Sequence, residues 1–178
     1  ALAGRDVFET DTRGGTTVSR NEIAWPGNDK VTLVDTPGLG EIDGEMRASV
    51  AAEAARDADL ILVVIDGPLR DTEFELLSRL GQMEKRILIC LNKEDWYPAE
   101  EEQELLGLVA EQVRDFVAAK DIVAVRSRPT QRLRKRIGSD GHEVEEWVDV
   151  DPNIAPLARR MMAAVRQDGP DLLLANLL

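Results

Sequence analysis

Apolar residues recur along this chain in two periods that take turns. Runs such as LILVVID at Leu60–Asp66 and RILICLN at Arg86–Asn92 are almost continuously apolar, which suits strands covered on both faces. Val31–Asp35 and Ile122–Val125 are shorter runs of the same kind. Val18–Trp25 alternates more and carries Arg20 and Glu22, so it reads as an edge strand. It meets Val31 through Pro26-Gly27-Asn28-Asp29, a turn signal that predicts an antiparallel hairpin. Between the runs lie helical spacings: Met46, Val50 and Ala54, then Phe74, Leu77, Leu80 and Met83. Leu105, Leu106, Val109, Val113, Phe116 and Val117 line one face of a third helix, whose acids around Glu100–Glu104 suit the positive end of the dipole. A last helix is predicted near Pro156–Arg166, stopped by Gly169-Pro170. Strand and helix in alternation predict an α/β fold of three layers, a mostly parallel sheet with helices on both faces.

Residues 131–150 break the rhythm. QRLRKRI, GSDG and HEVEEWVDV read as a basic strand, a glycine turn and an acidic return strand. Opposite charges on paired strands contribute ~0.2–1 kcal/mol a pair, a structural role. The functional alternative is a docking surface of Arg132, Arg134, Lys135 and Arg136 for anionic lipid, RNA or an acidic partner, a field much of which the return strand would neutralise. The tail DLLLANLL is apolar enough to dock on the core.

The length of 178 residues fits a single domain, with 43% apolar and 31% charged residues. A net charge of −12 argues against a general nucleic-acid binder, which needs surplus cations. The one cysteine, Cys90, excludes an internal disulfide framework and reads as a packed thiol. No apolar run reaches the ~18–20 residues that span a bilayer, and no signal-peptide pattern opens the chain, so a cytoplasmic protein is expected. Membrane association is carried only by the apolar end and the basic strand.

Two strands stop on polar residues in a telling way. VTLVDTPGLG at 31–40 delivers Asp35 to the end of a buried run and then breaks at Thr36, Pro37, Gly38 and Gly40. ILICLNKED at 87–95 does the same with Asn92, Lys93, Glu94 and Asp95. In a parallel sheet the carboxyl ends of strands line the ligand crevice. There Asp35 can hold Mg²⁺ through water, and Gly38 lets a backbone N–H approach a terminal phosphate. A planar base can lie along the Lys93 stem, while Asp95 can accept paired N–H bonds from a guanine edge, a pattern that adenine lacks.

Together DTPG and NKED resemble the third and fourth G-motifs of the GTPase superfamily. ETDTRGGTT, before the edge strand, resembles switch I of the Era/TrmE/EngA branch. The resemblance implies a P-loop-NTPase-type fold and a guanine nucleotide, GTP or GDP, with Mg²⁺. It implies Thr17 (or Thr16) at the metal and γ-phosphate, Asp35 at the metal and Gly38 at the γ-phosphate. Asn92, Lys93 and Asp95 would take the guanine, and Ser127 would open the base-backing loop. It covers residues 1–127 and the last helix; the 131–150 hairpin lies outside it.

The chain departs from that family in three places. It contains no G-x-x-x-x-G-K-[ST], and its opening ALAG resembles the tail of the helix that follows this loop. The expectation is an N-terminally truncated G domain over residues 1–178, lacking the P-loop and the first, central strand. That would leave a gap of ~9–10 Å with unpaired backbone on both sides. A swapped segment, a neighbouring chain in a homodimer, or a strand beyond this sequence would have to fill it, and GTP binding by these residues alone should be weak or absent. Next, Leu39 stands where Ras-like proteins carry a water-orienting Gln, so no catalytic residue is named. Glu41 and Asp43 read as solvated. Finally, Ser127-Arg128-Pro129 keeps only the Ser of the base-backing loop, and since Pro129 has no N–H, Ser127 or Arg128 must give it.

His142 reads as a surface residue, and Trp25 and Trp147 as packed on sheet or hairpin faces. Trp96 and Tyr97 either cap the nucleotide pocket or cover the third helix's start. The function expected is GTP binding and hydrolysis to GDP in the intact protein. The alternative is a nucleotide-free G-like scaffold or dimerisation module.

Overall fold

The computed structural model describes residues 21–25, 28–35, 56, 58–83, 85–137, 142–168 and 172–177. The predicted helix over Met46–Ala54, the ALAG segment, the turn at Pro26-Gly27, and Thr16, Thr17, Gly38, Leu39, Glu41 and Asp43 lie outside the described residues. Strand β1 (Asn21–Trp25) pairs antiparallel with β2 (Asn28–Asp35), setting Asn21 opposite Asp35. The register shifts between Ala24 and Trp25. Strand β3 (Leu60–Ile65), helix α1 (Asp71–Gln82), β4 (Arg86–Leu91), helix α2 (Ala99–Val113) and β5 (Ile122–Ala124) follow. The three strands run parallel, with Ile65 beside Leu91 and Leu91 beside Ala124. Then come a hairpin, β6 (Thr130–Ile137) and β7 (Glu143–Val150), helix α3 (Ala155–Asp168) and β8 (Leu172–Leu177).

Side chains alternate between the two faces of a strand, and here both faces are covered. Ile61, Val63 and Ile65 with Ile87, Ile89 and Leu91 pack against Leu76, Leu77 and Leu80 of α1 and Leu105, Val109 and Val113 of α2. The intervening Leu60, Leu62, Leu88 and Cys90 pack with Trp25, Val31 and Leu33 against Leu157, Met161 and Ala164 of α3. Burying each large aliphatic contributes roughly 1.5–3 kcal/mol. Burial also pushes the Cys90 thiol up to about 12, an inert packed sulfur. In α1 the buried stripe runs through Leu76, Leu77 and Leu80, while Phe74 lies half out and tilts against Phe116, ring centroids 6.2 Å apart. Arg160 of α3 donates through Nε to the buried Asp121 carboxylate, tying α3 to the 3₁₀ turn before β5.

The strand order is β1-β2-β8-β3-β4-β5. The gap expected between β2 and β3 is closed from within the chain: β8 runs parallel to both, with Val31–Asp35 beside Leu172–Asn176 and Leu60–Val63 beside Leu174–Leu177. The tail is therefore a central strand rather than a segment docked on the core. LLLANL carries one polar residue in six, a composition that a slot with helical layers on both sides accepts. Filling it satisfies backbone groups that β2 and β3 would otherwise leave unpaired.

Strands β6 and β7 form a separate antiparallel ribbon, Thr130 opposite Val150 and Ile137 opposite Glu143. Trp147, expected to pack, is 67% exposed, whereas Trp25 is buried. His142 is exposed. Among the described residues no helix is long and apolar enough to cross a membrane.

Candidate functional site

The parallel strands β2, β3, β4 and β5 end at one edge of the sheet, and each hands over to a polar residue. Asp35 closes β2, Asp66 follows β3, Asn92 and Lys93 follow β4, and Arg126 and Ser127 come after β5. The backbone stitches these ends together. The Asn92 N–H donates to the Ile65 carbonyl at 2.7 Å, Val125 N–H to Leu91 at 2.8 Å and Glu94 N–H to Val125 at 3.0 Å. The loops after β4 and β5 are joined by a side chain as well, for Asn92 Oδ1 accepts the Ser127 N–H at 3.2 Å. That bond engages the Ser127 N–H. With Pro129 lacking one, Arg128 is left as the residue of this loop with an N–H to give.

Lys93 has φ 62° and ψ 40°, the one positive-φ non-glycine among the described residues. Such a conformation costs ~1–3 kcal/mol and persists where its surroundings hold it. Here they do. The Lys93 ammonium donates to Asp66 Oδ2 at 2.8 Å and sits 4.2 Å from the Trp96 ring centroid, within cation–π range. The Tyr97 hydroxyl donates to the Asp66 carbonyl at 2.9 Å. The Lys93 hydrogen bond holds the Asp66 carboxyl below its ordinary value, and the charges of Lys93 and Arg70 act in the same sense against the opposing effect of burial. Trp96 thus backs Lys93 while remaining 64% exposed, and Tyr97 packs against the core around α1 and α2.

Glu94 organises the other side. Its Oε1 accepts from Arg126 Nη1 at 3.1 Å and from Asn153 Nδ2 at 3.3 Å. Arg126 also donates through Nε and Nη2 to the Asp151 carbonyl, at 2.9 and 2.7 Å. The backbones of Arg126 and Asn153 bond reciprocally, at 3.1 and 2.8 Å. The Arg126 and Glu94 side chains are only 13% and 15% exposed. Nearby, burial first and the Glu94 charge second raise the Glu102 carboxyl, with Arg132 opposing.

Of the residues singled out in the sequence, Asn92, Lys93, Asp95 and Ser127 fall on two loops that touch. Asp95 sits half-buried in the short 3₁₀ turn Glu94–Trp96, its carboxylate without a hydrogen-bond partner among the described residues. It stands in the chain between Lys93 and Trp96, which hold each other in a cation–π contact. Asp35 ends the neighbouring part of the same sheet edge; Thr17 and Gly38 lie outside the described residues. Sequence reasoning missed Asp66, which follows a buried run as Asp35 and Asn92 do, and that shared signal would have found it. Glu94, Arg126 and Asn153 were missed for another reason: their partnership joins distant segments.

Compared with known proteins, residues 1–93 match the family described as 50S ribosome-binding GTPase. GTPase Der of a Nitratiruptor species is 35% identical over 102 residues, 53% of this chain and 21% of that protein. Translation initiation factor IF-2 of Zymomonas mobilis subsp. mobilis is 33% identical over 98 residues, 53% of this chain and 9% of that one. The chain therefore spans about a fifth or less of the length of these relatives. Among solved structures, a probable GTP-binding protein engB shares the fold with a TM-score of 0.60, covering 93% of this chain and 89% of that one at 19% identity.

Proposed function

Because the chain belongs to the family described as 50S ribosome-binding GTPase and has the α/β fold of P-loop GTPases, we propose that it is a guanine-nucleotide-binding domain of the Era-like type that, in the intact protein, hydrolyses GTP to GDP with magnesium. The observation that carries this reading is the bond between Asn92 and the Ser127 N–H, which joins the two strand-end loops that carry Asp95 and Ser127. Asp95 accepts the two N–H groups of a guanine edge. The Lys93 stem lies against one ring face, its ammonium fixed by Asp66. Ser127 acts by fixing Asn92, and Arg128 supplies the backbone N–H of that loop.

Magnesium suits the chemistry of the donor set, which is all hard oxygen: the Asp35 carboxylate and the Thr17 hydroxyl would hold it. When bound, the ion would supply charge neutralisation at the phosphates, and Gly38 would give the terminal phosphate a backbone approach. The sequence names no group that orients water.

Measuring GTP and ATP affinities for the parent chain and for Asp95→Asn tests the base assignment. The variant presents an amide N–H to the guanine N–H groups, so the preference for guanine should collapse; a preference that persists refutes the role of Asp95. A second reading, a nucleotide-free G-like scaffold, draws on the absence of G-x-x-x-x-G-K-[ST] from these 178 residues. On the present proposal they alone bind GTP weakly, and nanomolar affinity would overturn that expectation.

A further inference from the structure

Among the described residues β6 and β7 pair only with each other. The ribbon's outer edges thus present backbone N–H and C=O groups at about every second residue. The two edges differ in chemistry. Faces alternate along a strand, so Glu143, Glu145, Trp147 and Asp149 of β7 share one face, and Val144, Glu146, Val148 and Val150 share the other. On the first of these faces β6 sets one cation, Lys135, against three acids, whereas on the other Arg132, Arg134 and Arg136 outnumber Glu146. Lys135 reaches Glu145 at 2.9 Å, Arg134 comes within 3.8 Å of Glu146, and the neutral Gln131 donates to Asp149 at 2.8 Å. Glu143 faces Ile137, while Arg132 and Arg136 stand opposite Val148 and Val144. Trp147 and Val144 are 67% and 51% exposed.

We propose that the outer edge of β7 docks an extended basic segment of a partner protein, which adds as a third strand and alternates cations with aliphatic residues. Cations on one side meet Glu143, Glu145 and Asp149 and lie over the Trp147 ring. Aliphatics on the other side cover Val144, Val148 and Val150, and main-chain bonds supply the rest of the affinity. The net charge of −12 draws such a segment in and repels an acidic one. A second copy of this chain fits poorly, because it carries the same charge and one ribbon edge buries far less than the ~1,200 Å² of a stable interface. The ribbon's base lies beside the Arg126–Glu94 pair through Asp151, so the partner would sit next to the loops of the candidate base site.

The test is an amide-shift titration of the ¹⁵N-labelled chain with two short synthetic peptides, one alternating Lys or Arg with Val or Ile, the other its Glu-bearing mirror. The basic peptide should shift amides of residues 143–150, and the mirror peptide should shift none. Glu143→Lys/Asp149→Lys, both exposed, should weaken the basic peptide roughly tenfold with an unchanged far-UV spectrum. Equal binding of the mirror peptide, shifts centred elsewhere, or indifference to the charge variant would overturn the proposal. So would single-stranded RNA or phosphatidylserine vesicles that engage β6 where the basic peptide engages nothing. A dimer in sedimentation that the same variant dissolves would also overturn it, in favour of a second copy.

Discussion

Replacing Glu94 by Gln tests whether the loops after β4 and β5 form one rigid unit. The change keeps an acceptor oxygen and the side-chain shape but removes the charge opposite Arg126, which is 3.1 Å away and 13% exposed. Removing one member of a fully buried pair costs ~3–5 kcal/mol. Arg126 keeps two bonds to the Asp151 carbonyl, at 2.9 and 2.7 Å, so we expect about 2–3 kcal/mol here. With a urea slope of roughly 2 kcal/mol/M for a chain of this size, the unfolding midpoint should fall by about 1–1.5 M. A cycle with Arg126→Met and the double variant isolates the pair, whose coupling should exceed ~1 kcal/mol. Lys135→Ala, at the exposed Lys135–Glu145 pair, is the contrast and should cost under about 1 kcal/mol. A Glu94→Gln midpoint within ~0.2 M of the parent, or additive single variants, would show that the pair does not hold the loops together.

Gly81→Ala should destabilise by about 1–3 kcal/mol, although alanine is the better helix former, because its Cβ would lie 2.6 Å from the Phe116 Cβ and 2.9 Å from its Cγ. Thermal melts decide the sign, and pairing with Phe116→Ala, which removes the ring but keeps the Cβ at 2.6 Å, should relieve only part of the clash. Cys90 should resist a thiol reagent at pH 8 in the native chain and react once it is unfolded, since a thiol pushed up to about 12 holds roughly a thousandfold less thiolate than an ordinary one. For Asp66, whose folded value lies below the ordinary 3.8, the stabilisation is complete above 3.8 and drains away as pH falls through the lowered value. Urea midpoints measured from about pH 5 to about pH 2 should therefore show a shallower acid slope in Asp66→Asn than in the parent.

Much of the fold was legible because most of the sheet is buried on both faces, where strands read as unbroken apolar runs. Leu60–Ile65 and Arg86–Leu91 fall one residue short of their sequence limits, at the points where Asp66 and Asn92 turn outward. The role of LLLANL was not legible. A short apolar run has no distinctive period, and its central place depends on a slot between β2 and β3 that only the assembled sheet defines. In α1, Phe74 fits the helical period yet sits at its edge, because Phe116 from another segment receives it. At the site, Asn92, Lys93 and Asp95 announced themselves by residue type. Glu94 did not, since its partners Arg126 and Asn153 lie 32 and 59 residues away along the chain.

The β8 strand has a consequence for how the molecule assembles. Strands β2 and β3 never touch as a pair; each is zipped to β8, so Val31 meets Leu172 and Leu60 meets Leu174 across more than a hundred residues of chain. Closing loops of that length before any contact rewards it slows folding. The two halves of the sheet should therefore gain structure separately, and join in a late step that Leu174→Pro would block.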